Sequence, residues 1–257
     1  MKNSFKKNIT QNLRLTSNAA FYKGIIVVLF TSLFMFLTSC KKDYGNVVTK
    51  ELNLAKFSSI KNIGSSNISI QYGAEQKVEV TTNEDILNRL KNSVSNFELK
   101  LDLKDGFYQD YELSYDITIP EIEKVDIEGS GNISVHSFQD FDELKLEING
   151  SGNIVINDLV NLNKLKVDIE GSGNVSTLSQ MDSVNILDIN IDGSGSFNGF
   201  STMSKDCFVN ITGSGNCDVY AKEELDVKIA GSGDVNYKGF PNINSNITGS
   251  GNITNKN

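Results

Sequence analysis

Tryptophan is absent from this chain of 257 residues, histidine is limited to His136, and there are 2 Pro and 3 Cys. One histidine removes most His-based catalysis and most multi-histidine metal sites. Arginine is nearly as scarce, with only Arg89 beyond residue 40. Residues 1–40 hold 5 of the 24 basic residues and none of the 32 acids, which leaves 19 against 32, or −13, for the remainder. A body this acidic is a poor partner for nucleic acid or anionic lipid head groups. With so little proline, 21 Gly fit neither collagen nor a random linker. A hydrophobic fraction of 39% also separates the chain from disordered sequences. No apolar run reaches the ~20 residues of a spanning helix.

The apolar run GIIVVLFTSLFMFL at 24–37 follows a basic stretch and suits the core of a secretory signal. It leads into Leu37-Thr38-Ser39-Cys40. This tetrapeptide resembles the lipobox of bacterial lipoproteins, in which the cysteine is lipidated and becomes the new N-terminus. Residues 1–40 are therefore expected to be a lipoprotein signal peptide, Cys40 the lipidation site, and 41–52 a polar tether. Three acyl chains exceed the two signals that stable anchoring requires. The expected location is the cell envelope, at the outer membrane, with either face open.

The glycines are periodic. Gly-Ser-Gly occurs at 129–131, 150–152, 171–173, 193–195, 213–215, 231–233 and 249–251, at intervals of 21, 21, 22, 20, 18 and 18. Two residues before each motif stands isoleucine in all seven copies, from Ile127 to Ile247. Four before stand Val125, Leu146, Val167, Ile189, Val209, Val227 and Ser245, and an Asn, Ser or Asp follows each motif. Apolar positions alternate on both sides, which is the period of a strand. Parity runs unbroken through the motif, so both glycines are expected to face inward, at a corner with no room for a Cβ. A unit of ~20 residues cannot bury its inner face alone, but stacked copies can. The expected fold is all-β, a parallel β-helix (β-solenoid) of ~20-residue Gly-Ser-Gly rungs, with 123–257 its regular part. At ~10 rungs its length would be on the order of 45 Å. The last copy turns polar at Ser245 and Asn255, as a terminal cap would.

Residues 53–122 form a less regular β portion of the same solenoid. Gly64-Ser65-Ser66-Asn67-Ile68 reads as a degenerate copy, and 78–80, 97–103 and 111–119 alternate as strands. DILNRLKNSV at 85–94 has helical spacing and is expected to be a short helix covering an end or edge. Asp105-Gly106 between alternating segments signals a hairpin.

Three segments, FSSIKNIGSSNISIQYG, NEDILNRLKNSV and IPEIEKVDIEGSGNISV, resemble a bacterial domain family. It is called the putative auto-transporter adhesin, head GIN domain, and the likeness covers roughly 53–257. The resemblance implies a right-handed parallel β-helix, commonly behind a lipoprotein signal, without an established biochemical activity.

Candidate chemistry is sparse. Cys207 and Cys217 fall in inward rows and read as buried small hydrophobes, with a disulfide open in an oxidising compartment. The Asn row reads as a self-bonded ladder. The acid rows Asp126, Glu147, Asp168 and Glu128, Glu170, Asp192 could attract Ca²⁺. Lys124, Lys145 and Lys166 lie on the same face and can neutralise them, so no metal is expected. His136 is placed at a solvated turn. No acidic pair escapes the repeat register, so neither enzyme activity nor a cofactor is expected. Tyr108 and Tyr111, in the loop Asp105–Tyr111, could stack on sugar rings and are the candidate ligand contacts. The function expected is a non-enzymatic, lipid-anchored adhesin or structural β-helix for glycans or for envelope or host proteins. The alternatives are a periplasm-facing sensing module and a degenerate carbohydrate-active enzyme.

Overall fold

The computed structural model describes residues 44–179 and 181–257. The expected signal peptide and Cys40 lie outside the described residues. The N-terminal portion supplies β1 (Val47–Glu51), β2 (Ser59–Gly64), β3 (Asn67–Tyr72), β4 (Lys77–Asn83), helix α1 (Glu84–Leu87), β5 (Ser93–Ser95), β6 (Glu98–Leu101) and β7 (Leu113–Ile119). The repeats follow as β8 (Lys124–Gly129), β9 (Asn132–His136), β10 (Gln139–Gly150), β11 (Asn153–Asn157), β12 (Val160–Gly171) and β13 (Asn174–Thr177). They continue as β14 (Met181–Gly193), β15 (Ser196–Gly213), β16 (Asn216–Gly231), β17 (Val235–Lys238), β18 (Asn242–Gly249) and β19 (Ile253–Asn255).

These strands stack in parallel as the coils of a β-solenoid. On one face β6, β2, β8, β10, β12, β14, β15, β16 and β18 lie in register. On the next face β7, β3, β9, β11, β13, β15, β16, β17 and β19 do the same. The motif glycines form one column, in which Gly64 pairs with Gly129, Gly129 with Gly150 and Gly150 with Gly171. Gly64 thereby confirms 64–68 as a true, if degenerate, rung. The isoleucine column lies inside: Ile127, Ile148, Ile169, Ile191, Ile211 and Ile229 are all buried. Each fully buried branched side chain contributes about 1.5–3 kcal/mol, so this repeated burial is what the stacking gains.

Only the second glycine of each motif faces inward. Gly152 is buried, whereas Gly150 lies partly exposed with φ +139°. That left-handed backbone turns the direction of a Cβ along the stack, and at Gly150 it would sit 2.3 Å from the carbonyl oxygen of Gly129. The same oxygen accepts hydrogen bonds from the N–H groups of Ser151 (2.9 Å) and Gly152 (3.2 Å). The motif is therefore an inter-rung joint as well as a corner.

The N-terminal portion departs from expectation in three places. Strand β1, from within the stretch expected as tether, pairs antiparallel with β4, and Tyr44 before it is buried. The helix is a single turn, because Ser93–Ser95 instead pair antiparallel with Glu98–Lys100 around a two-residue turn at Asn96 and Phe97. That local pairing satisfies more backbone groups than another helical turn would. Asp105-Gly106 joins no hairpin, since β6 pairs with β2 and β7 with β3 and β4. Stacking on the preceding coil takes the hydrogen bonds a hairpin would have used. At the other end every residue of β18 is exposed, and Ile243 and Ile247 carry the inner column out to the edge.

Candidate functional site

Rows of surface side chains on the solenoid are partnered by the rung above or below. The Asn row is a ladder: Nδ2 of Asn132, Asn153 and Asn174 donates to Oδ1 of Asn67, Asn132 and Asn153 at 3.1, 2.8 and 3.0 Å. A second ladder runs from Asn185 to Asn163 to Asp142. Identical side chains one strand spacing apart can donate and accept in turn, which fixes them without help from solvent.

The acid row Asp126, Glu147, Asp168 behaves similarly, and in the other row Glu128 binds Lys61. Asp126 binds Lys61 (3.1 Å) and Lys124 (3.3 Å), Glu147 binds Lys124 and Lys145, and Asp168 binds Lys145 (3.6 Å) and Lys166 (3.2 Å). Burial alone would raise the Glu147 carboxyl, but the two lysine hydrogen bonds outweigh it and hold it below its ordinary value. Lys124 is likewise held above its ordinary value: burial opposes this and is outweighed by Glu147 and Asp126. Among the described residues no cluster of three or more His, Cys, Asp or Glu is arranged to hold a metal.

Both internal cysteines are free and fully buried. Burial pushes the Cys207 thiol up to about 12 and raises Cys217 in the same direction, which disfavours the thiolate at both. His136 ends strand β9, not a turn, and its Nδ1 lies 3.3 Å from Nδ2 of Asn157.

Tyr108 and Tyr111 do come together, and they line a cleft of 320 Å³ between the Gly64–Ser66 corner and the loop after β6. Their ring centroids are 5.8 Å apart and inclined at 64°, and Tyr44 meets the other edge of Tyr111 at 6.4 Å. The Tyr108 hydroxyl donates to the Lys104 carbonyl at 2.6 Å, and Ser65 Oγ lies 3.3 Å from the Tyr111 hydroxyl. Tyr115 forms the buried side of the cleft, with its hydroxyl on Asn92 at 3.2 Å. Burial pushes that phenol up to about 12.

Sequence reasoning missed Tyr44, Ser65 and Tyr115. One signal was available, because the repeat breaks at this corner, with Ser66 in place of the second glycine and Asn62 in place of isoleucine. Asn62 and Ser66 are both buried and bond each other twice: Ser66 Oγ to Asn62 Oδ1 at 2.6 Å, and Asn62 Nδ2 to the Ser66 carbonyl at 2.9 Å.

With this geometry in place, comparison with known proteins decides the family. The description "Putative auto-transporter adhesin, head GIN domain" matches residues 56–241. The chain belongs to this family. Several solved structures are similar to this head GIN domain protein. A putative adhesin from Bacteroides fragilis shares 22% identity at a TM-score of 0.72, over 82% of this chain and 97% of that one. A putative lipid binding protein from Parabacteroides distasonis shares 27% identity at 0.62, over 83% and 98%. A putative adhesin from Parabacteroides merdae shares 20% at 0.64, over 83% and 98%. No curated protein matches the chain. The first and third likenesses carry the solenoid fold; none names a ligand for the Tyr108–Tyr111 cleft.

Proposed function

We propose that this protein is a lipid-anchored, non-enzymatic component of the cell envelope, whose solenoid acts as a rigid adhesive surface for a partner molecule. The observation that carries this reading is the mutual satisfaction of surface side chains along the stack. The amide and ion ladders fix a continuous surface in place, which suits contact over an area better than bond-making at a point. Membership of an adhesin family supports the same reading. The Cys40 lipobox supplies the anchor.

A second reading has its own observation. At the N-terminal end Leu54, Phe57, Phe97 and Pro120 form the apolar part of an open groove of 770 Å³ whose rest is largely polar, with Lys56, Glu75, Glu121 and Glu123, and Phe97 is 68% exposed. Together with the name of the Parabacteroides distasonis relative, this favours a periplasm-facing module that holds an apolar ligand.

Metabolic labelling with a palmitate analogue tests the anchor. Wild type should be labelled and membrane-bound, and Cys40→Ala should be neither. Labelled, membrane-bound Cys40→Ala protein would remove the lipoprotein assignment. Protease shaving of intact cells then separates the readings, because an adhesive surface turned outward is digested and a periplasm-facing module survives.

A further inference from the structure

We infer that the Tyr108–Tyr111 cleft binds a neutral saccharide, an inference that rests on reading the protein as a binding module of the envelope. The cleft stands where the repeat rule is broken, between the Gly64–Ser66 corner and the loop that replaces the motif in the adjoining coil. Elsewhere the corner is closed by glycine over isoleucine. Here Ser66 and Asn62 satisfy each other, and the loop 102–111 opens beside them. Local departures from a sequence's own pattern concentrate at functional sites.

The aromatic surface is already fixed before any ligand arrives. The hydroxyl end of the Tyr108 ring packs against Gly106, where an added Cβ would come within 2.8 Å of Cζ and the hydroxyl. Its hydroxyl is tied to Lys104, and Tyr111 is wedged between Tyr44 and Tyr108 with its own hydroxyl beside Ser65. Side chains ordered in advance lose little rotamer freedom on binding. The volume of 320 Å³ lies at the small end for ligand sites, on the order of one or two sugar rings.

The chemistry of the lining selects the class. A pyranose presents an apolar C–H face to an aromatic ring and hydroxyls around its rim. Ser65, Asp105, Tyr108 and Tyr111 line the cleft, and their oxygens keep acceptor capacity for such hydroxyls even where Tyr108 donates to Lys104 and Ser65 lies beside Tyr111. Of the charged lining residues, Lys104 offsets Asp105 and Asp102 pairs with Lys91 at 3.6 Å, which leaves no surplus of cations in the cleft, while residues 41–257 carry −13. That field disfavours uronic or sulfated glycans, so the ligand is neutral.

The test is retention of the full chain on an array of neutral, uronic and sulfated glycans. Wild type should be retained on neutral glycans. Tyr108→Ala and Tyr111→Ala should each weaken retention about tenfold, the scale of one lost aromatic contact. Tyr111→Phe keeps the ring and should lose less. Tyr72→Ala, half-exposed and outside the cleft, should bind as wild type, and matching melting curves should show that all four variants fold. Retention only on anionic glycans, or undiminished binding by both alanine variants, would overturn the inference. A wild type that binds no glycan yet still adheres to cells or protein sinks the saccharide and leaves the adhesive reading intact. If it does neither, both fall.

Discussion

At the scale of single residues, the two glycines of each motif do different work. The first turns the chain through a left-handed backbone and, at every corner with a rung above it, brings its carbonyl under one or two N–H groups of that rung. The second also lies close under a carbonyl and in addition makes room for isoleucine: a Cβ at Gly152 would meet the Gly131 oxygen at 2.3 Å and Ile127 Cγ2 at 2.8 Å. Gly64 offers an internal comparison. It has φ +113° and belongs to the same column, but nothing lies within 4 Å of its Cβ position. Gly64→Ala should therefore cost only backbone strain, roughly 1–3 kcal/mol. Gly150→Ala should cost that strain plus overpacking against the Gly129 carbonyl, a further ~1–3 kcal/mol. Urea midpoints at unchanged m-value measure both. Equal midpoints for the two variants would refute the stacking account of the first glycine.

At the scale of elements, the join between the irregular and the regular part is chemically distinct from every other rung contact. Strand β2 brings Lys61 against Asp126 and Glu128 of β8, and it carries Asn62 where isoleucine recurs. Asn62 and Ser66 depend on each other: without the Ser66 hydroxyl Asn62 Oδ1 is left unmet, and without Asn62 both Ser66 Oγ and its carbonyl lose their bonds. Asn62→Ile and Ser66→Gly should each destabilise, by about 1–3 kcal/mol. The double variant carries the isoleucine and glycine of the other rungs at both positions, with Gly131 over residue 62, and should recover most of the loss, a coupling of ~1–3 kcal/mol in a double-mutant cycle. Additive losses would mean that the pair does not act as a unit. The pattern at this corner was visible in the sequence as two exceptions to the rule. That they compensate each other was not, because their hydrogen bonds form only when the bend brings residue 66 back over residue 62.

For the molecule as a whole, stability is built by neighbour contacts repeated along one axis. Excising residues 153–173 joins Gly152 to Asn174 with every inward and outward position kept in phase. The shortened protein should retain its β circular dichroism and unfold in one transition at a lower midpoint, having lost one coil's inner side chains. Excising 153–163 puts the following strands out of phase with the coil below and should abolish the fold. A half-coil deletion as stable as the whole-coil deletion would contradict the solenoid as the unit of stability. The two ends differ. The N-terminal end is closed by β1, α1 and the β5–β6 hairpin, while β18 leaves an open edge whose side chains are mostly polar.

The sequence by itself determined the architecture, because seven isoleucines and seven Gly-Ser-Gly triplets in phase admit one economical burial, copy upon copy. It also determined the charge ladders, since rows that repeat in sequence must stack in space. Only the tertiary structure decided which way the first glycine points, how the Asp105–Gly106 segment runs, and that Tyr44, Ser65 and Tyr115 meet Tyr108 and Tyr111. Those features depend on contacts between residues 44, 65 and 111, which no local period relates. Where the repeat is regular, sequence neighbours predict spatial neighbours. Where it breaks, the packing of the preceding coil chooses among local options, and the candidate site lies at that break.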